Sequence, residues 1–136
     1  DMEADRGMQT FTYAIYPWIG TFAASPVVNE GYELNAPVLT VPGTADRASL
    51  FSVSEANVMI DTVKPAEDGS SDVVVRLYEA KRSATTCTLR ISLPVDSAVE
   101  TDMLETSELG ALTCEDGEID LAFQPFEIKT VRLTMA

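Results

Sequence analysis

Short blocks in which apolar and polar residues strictly alternate recur along this chain. They constrain its fold more than any other feature, because a period of two belongs to half-buried strands and not to amphipathic helices. Val73, Val75 and Leu77 share one face, then Leu89, Ile91 and Leu93, then Ile119, Leu121 and Phe123. Their alternates include Arg76, Thr88, Arg90, Ser92 and Asp120, so one face of each strand is wet and the other dry. Phe11, Tyr13 and Ile15 begin the same pattern near the N-terminus. The intervening stretches, Glu67 to Asp72, Lys81 to Thr85 and Glu115 to Gly117, carry turn chemistry, with Asp-Gly the strongest hairpin signal. In the last block the apolar phase jumps from Ile128 to Val131, Leu133 and Met135, which predicts a β-bulge at Lys129-Thr130. About seven short strands at this spacing predict an all-β fold, an immunoglobulin-like antiparallel β-sandwich. No segment has a convincing helical period, and no internal repeat is present.

The sandwich is expected over residues 50–136. Residues 1–49 are expected to hold an outlying strand, Met8 to Pro17, and a long connecting loop from Gly20 to Asp46. Pro26, Gly31, Pro37, Pro42 and Gly43 interrupt that loop, and its one strand candidate, Ala36 to Val41, is bracketed by prolines. A length of 136 residues suffices for one domain with a core. Asp1 to Gly7 has neither an initiator methionine nor an apolar run, so a segment of a longer chain is expected. Apolar runs reach three or four residues, as in Val73-Val74-Val75, against the ~20 of a membrane span.

Twenty-two acidic against nine basic residues leave a net charge of −13, which repels nucleic acid and anionic membrane surfaces. The carboxylates are scattered and form no calcium-loop spacing, so they read as a solvated acidic surface. Glu100, Asp102 and Glu105 lie close in sequence, yet on a strand only the first two share a face, and they read as a solvated edge. The chain has no histidine, which removes Ser-His-Asp and Cys-His nucleophilic sites. Dinucleotide and phosphate-loop glycine motifs are missing too. Cys87 and Cys114 are isolated and read as free thiols of a reducing compartment, with a bridge open if their strands are neighbours. Together with the lack of any Asn-x-Ser/Thr acceptor, they favour a cytoplasmic protein.

Five further stretches carry a resemblance: Phe11-Thr12-Tyr13-Ala14-Ile15-Tyr16-Pro17, Tyr32-Glu33-Leu34-Asn35-Ala36-Pro37, Val63-Lys64-Pro65-Ala66-Glu67-Asp68, Val75-Arg76-Leu77-Tyr78-Glu79-Ala80 and Ala122 through Met135. In this order they resemble the C-terminal end of the family 38 glycoside hydrolases, the retaining α-mannosidases. The resemblance implies a parent enzyme with an N-terminal α/β domain that carries the nucleophile and a zinc ion, and a central β-domain that Met8 to Pro17 would complete. None of those catalytic or zinc-binding residues has a counterpart in this chain. The family pattern has Pro-His where this sequence has Pro17-Trp18.

The chain itself is therefore expected to be inactive and to hold no cofactor. It would brace the parent's other domains, while the parent binds an α-mannoside substrate. A homo-oligomer is a further expectation, because an orphaned strand from Phe11 to Trp18 would seek an edge to pair with. Tyr16 and Trp18 are the candidate site residues, either packing against another domain or stacking on a sugar ring, as a carbohydrate-binding module would. A surface-adhesion sandwich is a third reading. Arg76, Tyr78 and Glu79 fall in one of these stretches, where Arg76 and Tyr78, on one strand face, read as a structural hydrogen-bonded pair, and Lys64, Glu67 and Glu127 read as turn and strand-edge residues.

Overall fold

The computed structural model describes residues 6–36, 38–44 and 48–136. The chain divides into two compact units, Asp1–Val38 and Leu39–Ala136, and the strands all belong to the second.

Eight strands run through the described residues of the second unit. They are β1 (Phe51–Val53), β2 (Val58–Pro65), β3 (Val73–Glu79), β4 (Thr85–Ile91), β5 (Val95–Thr101), β6 (Glu108–Leu112), β7 (Glu118–Phe123) and β8 (Ile128–Met135). One sheet has the order β1-β4-β7 and the other β2-β3-β8-β5-β6, with antiparallel pairing throughout. This is the expected antiparallel β-sandwich. Cys87, Leu89 and Ile91 of β4 and Ile119, Leu121 and Phe123 of β7 form one inner face. Val75 and Leu77 of β3 with Val131 and Leu133 of β8 form the other. These side chains are the dry alternates of the sequence pattern, so burial and pleat agree strand by strand.

The last strand departs from its expected phase. β8 pairs with β3 in unbroken register from Ile128, opposite Tyr78, to Leu133, opposite Val73, so there is no bulge at Lys129-Thr130. Lys129 occupies the inward position instead, and its side chain is only 12% exposed. Its stem lies in the pleat's apolar row while Nζ reaches Glu100 at 2.9 Å and Glu127 at 3.3 Å, 5.8 Å from the Phe123 ring centre. A lysine that keeps its charge at the rim behaves as an apolar residue along its stem. The inward series is thus Lys129, Val131, Leu133 and Met135, and Ile128 falls on the outer face, about half exposed. The register shifts lie in other strands, where Asp61 of β2 and Asp96 of β5 are the extra residues. A third shift lies between β5 and β6.

Cys87 is buried and Cys114 half-buried, and both are free thiols. Burial, then the carboxylates of Glu55 and Asp120, push the Cys87 thiol up to about 11, which keeps it protonated and inert.

The N-terminal unit differs from expectation in two ways. Met8 to Pro17 forms no strand, and Phe11, Tyr13 and Ile15 are largely exposed. Without a neighbouring strand its backbone has no ladder to join. Phe11 and Tyr13 instead lie against each other, ring centres 6.2 Å apart. Inside the expected loop, a 3-10 turn (Phe22–Ala24) leads into helix α1 (Val27–Asn35). Pro26 stands at the helix's N-cap, where its missing N–H costs nothing, and its carbonyl accepts the Glu30 N–H at 3.0 Å. The C-terminal turn is closed by Ala36 N–H donating to Tyr32 and by the Asn35 amide donating to the Gly31 carbonyl. Of the strand candidate from Ala36 to Val41, Pro37 lies outside the described residues and the rest is not strand. Asp1 to Asp5 and residues 45–47 also lie outside the described residues.

Candidate functional site

Tyr16 and Trp18 lie beside helix α1. Val27, Glu30, Gly31 and Leu34 recur at helical spacing on one side of that helix. With Ala14, Ile15, Tyr16 and Trp18 they line a half-open hollow of about 380 Å³. Tyr16 and Trp18 are partly exposed at its lining, and Glu30 is the one carboxylate there. The arrangement offers two aromatic surfaces, a small residue and a hydroxyl acceptor. The sequence points to the aromatics but not to the helix that completes the hollow, because Pro26, Gly31 and Pro37 read as breakers.

The other singled-out residues lie in the sandwich and separate into three groups. Glu79 follows Val75 and Leu77 on the inward side of β3 and is fully buried. Its carboxylate accepts the N–H groups of Lys81 (2.7 Å) and Phe126 (2.9 Å) and the Asn57 side-chain amide (2.9 Å). Asn57 also donates to the Thr85 hydroxyl at 2.6 Å. Burial alone would raise the Glu79 carboxyl, but the Phe126 N–H, then Asn57, Lys81 and Ser83, outweigh it and hold it below the usual glutamate range. Three separate loops thus converge on one carboxylate. Two of the sequence stretches that carry the family resemblance, around Glu79 and around Phe126, meet here.

The second group crosses the outer face of the five-stranded sheet. Arg76 Nη2 donates to the Met103 carbonyl at 2.9 Å and Nε reaches the Thr130 hydroxyl at 3.4 Å. Glu105, in the loop between β5 and β6, takes Lys64 Nζ at 2.7 Å and the Glu67 N–H at 3.0 Å. Lys64 also pairs with Glu67 at 2.7 Å. Glu105, then Glu67, raise the Lys64 ammonium, while Lys64, then the Glu67 N–H, hold the Glu105 carboxyl low. This strap lies over a face on which Val74 and Thr130 are already buried. Arg132 forms the third group. It binds Asp72 and Asp68 at 2.6 Å each and closes the turn between β2 and β3. The Ser70 N–H and hydroxyl, then Arg132, lower the Asp68 carboxyl to about 2.

Glu100, Asp102 and Glu105 are not brought together. Glu100 serves Lys129, Asp102 accepts the Thr106 N–H at 2.8 Å and hydroxyl at 2.7 Å, and Glu105 serves Lys64. Glu127 accepts the Gln124 N–H at 2.6 Å. Among the described residues there is no donor set for a zinc ion, which the resemblance implies for another domain of the parent. The chain lacks histidine, and among the described residues no three Cys, Asp or Glu side chains converge. No helix among the described residues is long and apolar enough to cross a membrane.

Residues 57–131 match the Glycosyl hydrolases family 38 C-terminal beta sandwich domain. The chain is 39% identical to "Alpha-mannosidase 2C1" of Homo sapiens over 99% of its length. It is 34% identical to "Alpha-mannosidase G" of Dictyostelium discoideum over 97% of its length, and 27% identical to "Alpha-mannosidase" of Saccharomyces cerevisiae over 98%. It spans only 13–14% of the length of these relatives.

Proposed function

Because this chain belongs to the family 38 glycosyl hydrolase C-terminal beta sandwich domains, we propose that it is a non-catalytic, structural domain of an α-mannosidase. The parent enzyme would hydrolyse terminal α-mannosides with retention, using two carboxyl groups ~5–5.5 Å apart and a zinc ion, all supplied by domains outside this chain. The observation that carries the reading is the whole-chain similarity to about one-seventh of several proteins called α-mannosidases. The fate of the carboxylates supports it. Glu79, Glu100, Asp102, Glu105 and Glu127 are each committed to a lysine or to hydrogen bonds that hold the sandwich.

The test is a replacement. Substituting this chain for the corresponding segment of human Alpha-mannosidase 2C1, 39% identical to it, should leave a folded protein that hydrolyses an aryl α-mannoside, whereas deleting the segment should not. An inactive, unfolded replacement would refute the reading.

A second reading, a carbohydrate-binding module, draws on the hollow beside Tyr16 and Trp18. Aromatic faces stack on sugar C–H groups, and Glu30 offers an acceptor for hydroxyls. Trp18 is the chain's single tryptophan and reports directly on the hollow. Saturable quenching or a blue shift of its fluorescence on adding methyl α-mannoside, lost in Tyr16→Ala, is the outcome this reading requires. A spectrum unchanged at tens of millimolar sugar would dismiss it.

A further inference from the structure

The turn that enters β8 places a large aromatic residue in an unfavourable conformation. Gln124-Pro125-Phe126-Glu127 is closed by the Glu127 N–H donating to the Gln124 carbonyl at 3.0 Å. Proline occupies its second position, and Phe126 its third with φ 60°. That third position normally takes glycine, because a side chain there meets its own backbone. Three contacts hold Phe126 in place: its N–H on the buried Glu79 carboxylate, the closing bond, and the Gln124 N–H on the Glu127 carboxylate. The buried end of the sandwich is thus organised around a turn whose aromatic residue is 56% exposed.

Two residues after Phe126, Ile128 opens an apolar row across the sheet. Met59, Tyr78 and Ile128 stand opposite one another in adjacent strands and so share the outer face of the five-stranded sheet. Ile128 is about half exposed. On the same face Arg76 tethers the β5–β6 loop through the Met103 carbonyl, and Met103 and Leu104 of that loop are exposed as well. Exposed apolar residues such as Phe126, Ile128, Met103 and Leu104 gathered at one face mark a contact surface.

Two observations select the partner. A second copy would bring another −13 charge against the first, and self-association at neutral pH would work against that repulsion. The relatives, in contrast, continue for about six-sevenths of their length outside the matched segment. We infer that Phe126, Ile128, Tyr78 and Met59 form the face through which this sandwich packs onto the remainder of an α-mannosidase polypeptide, against an apolar surface that is not acidic. The inference rests on the structural-domain reading above.

Phe126→Gly tests it, because glycine relieves the turn and removes the contact at once. In the isolated chain this variant should melt no lower than the original. In the human Alpha-mannosidase 2C1 replacement described above, it should shorten the thermal-inactivation half-life about tenfold, the scale of one lost interface anchor. Ile128→Ser should do the same in the replacement and little in the isolated chain. Backbone amides of residues 126–128 should exchange at least about tenfold more slowly in the replacement than in the isolated chain, as expected for a buried anchor. Equal exchange in both proteins, or a replacement indifferent to Phe126→Gly, would overturn the inference and leave the domain reading intact. Protection already present in the isolated chain, with loss of its own stability in both variants, would show the face covered without the rest of the enzyme and also overturn the inference. A replacement that never assembles removes the domain reading, and this inference with it.

Discussion

Glu79 concentrates more structural responsibility than any other side chain of the sandwich. It is a carboxylate in a dry environment, tolerable because N–H groups from separate loops supply the hydration it has lost. Glu79→Gln turns one of those acceptors into a donor facing a donor, and at neutral pH it should cost about 2–4 kcal/mol. The pH dependence follows from the direction of the shift. A carboxyl whose folded-state pKa lies below the unfolded ~4.3 gives stability that is fully present above that value and is lost as pH falls through the folded one. Asp68, Asp102 and Glu105 are lowered in the same direction, Asp68 to about 2. Melting temperature should therefore drop steeply between about pH 4 and pH 2, and the gap between the original chain and Glu79→Gln should narrow across that window. A gap that stays constant with pH would mean the charge is not the cause. At the same scale, Ile91→Ala and Leu77→Ala should each cost ~2–5 kcal/mol, and Ile128→Ala under ~1, read from urea midpoints. The alternation placed Ile91 and Leu77 correctly. It misplaced Ile128 because a lysine stem can hold an inward position, and a residue-type pattern scores lysine as polar.

Among the elements, the hairpins were legible and the helix was not, for opposite reasons. Asp116 and Gly117 both adopt positive φ, 52° and 76°, as a two-residue hairpin turn demands, so Asp-Gly announces itself. Helix α1 is nine residues long with a glycine inside and a proline at its N-cap, and its apolar stripe is too short for periodicity to register. Met8 to Pro17 shows the converse failure. Alternation there is genuine, but a strand exists only where a neighbour accepts its hydrogen bonds. The hollow at Tyr16 and Trp18 was accordingly half legible, its aromatics visible and its helical wall not.

Two glycines of nearly equal φ separate strain from packing. Gly69 at 77° has open space where a Cβ would go, whereas a Cβ on Gly117 would lie 2.5 Å from the Ile91 carbonyl oxygen. Gly117 also accepts the Ile91 N–H at 2.8 Å. Gly69→Ala should cost about 1 kcal/mol from strain alone, and Gly117→Ala clearly more, because β4 must move. Chemical denaturation of the two variants measures the difference, and equal costs would mean that the Ile91 contact yields freely.

At the scale of the whole molecule, the chain should turn over no aryl α-mannoside and should lose added zinc on dialysis against a weak chelator, since it has no histidine with which to keep it. Turnover abolished by mutating one of its own carboxylates would contradict this. The order of the larger sheet has another consequence. β8 is the last strand of the sequence, yet it lies in the middle, flanked by β3 and β5. During synthesis β2 and β3 can pair early, and β5 with β6, but these two halves have no common partner until the final strand emerges. A chain that stopped short of Ile128 would therefore leave a sheet split down its centre, with two long bare edges, and not a domain trimmed at its rim.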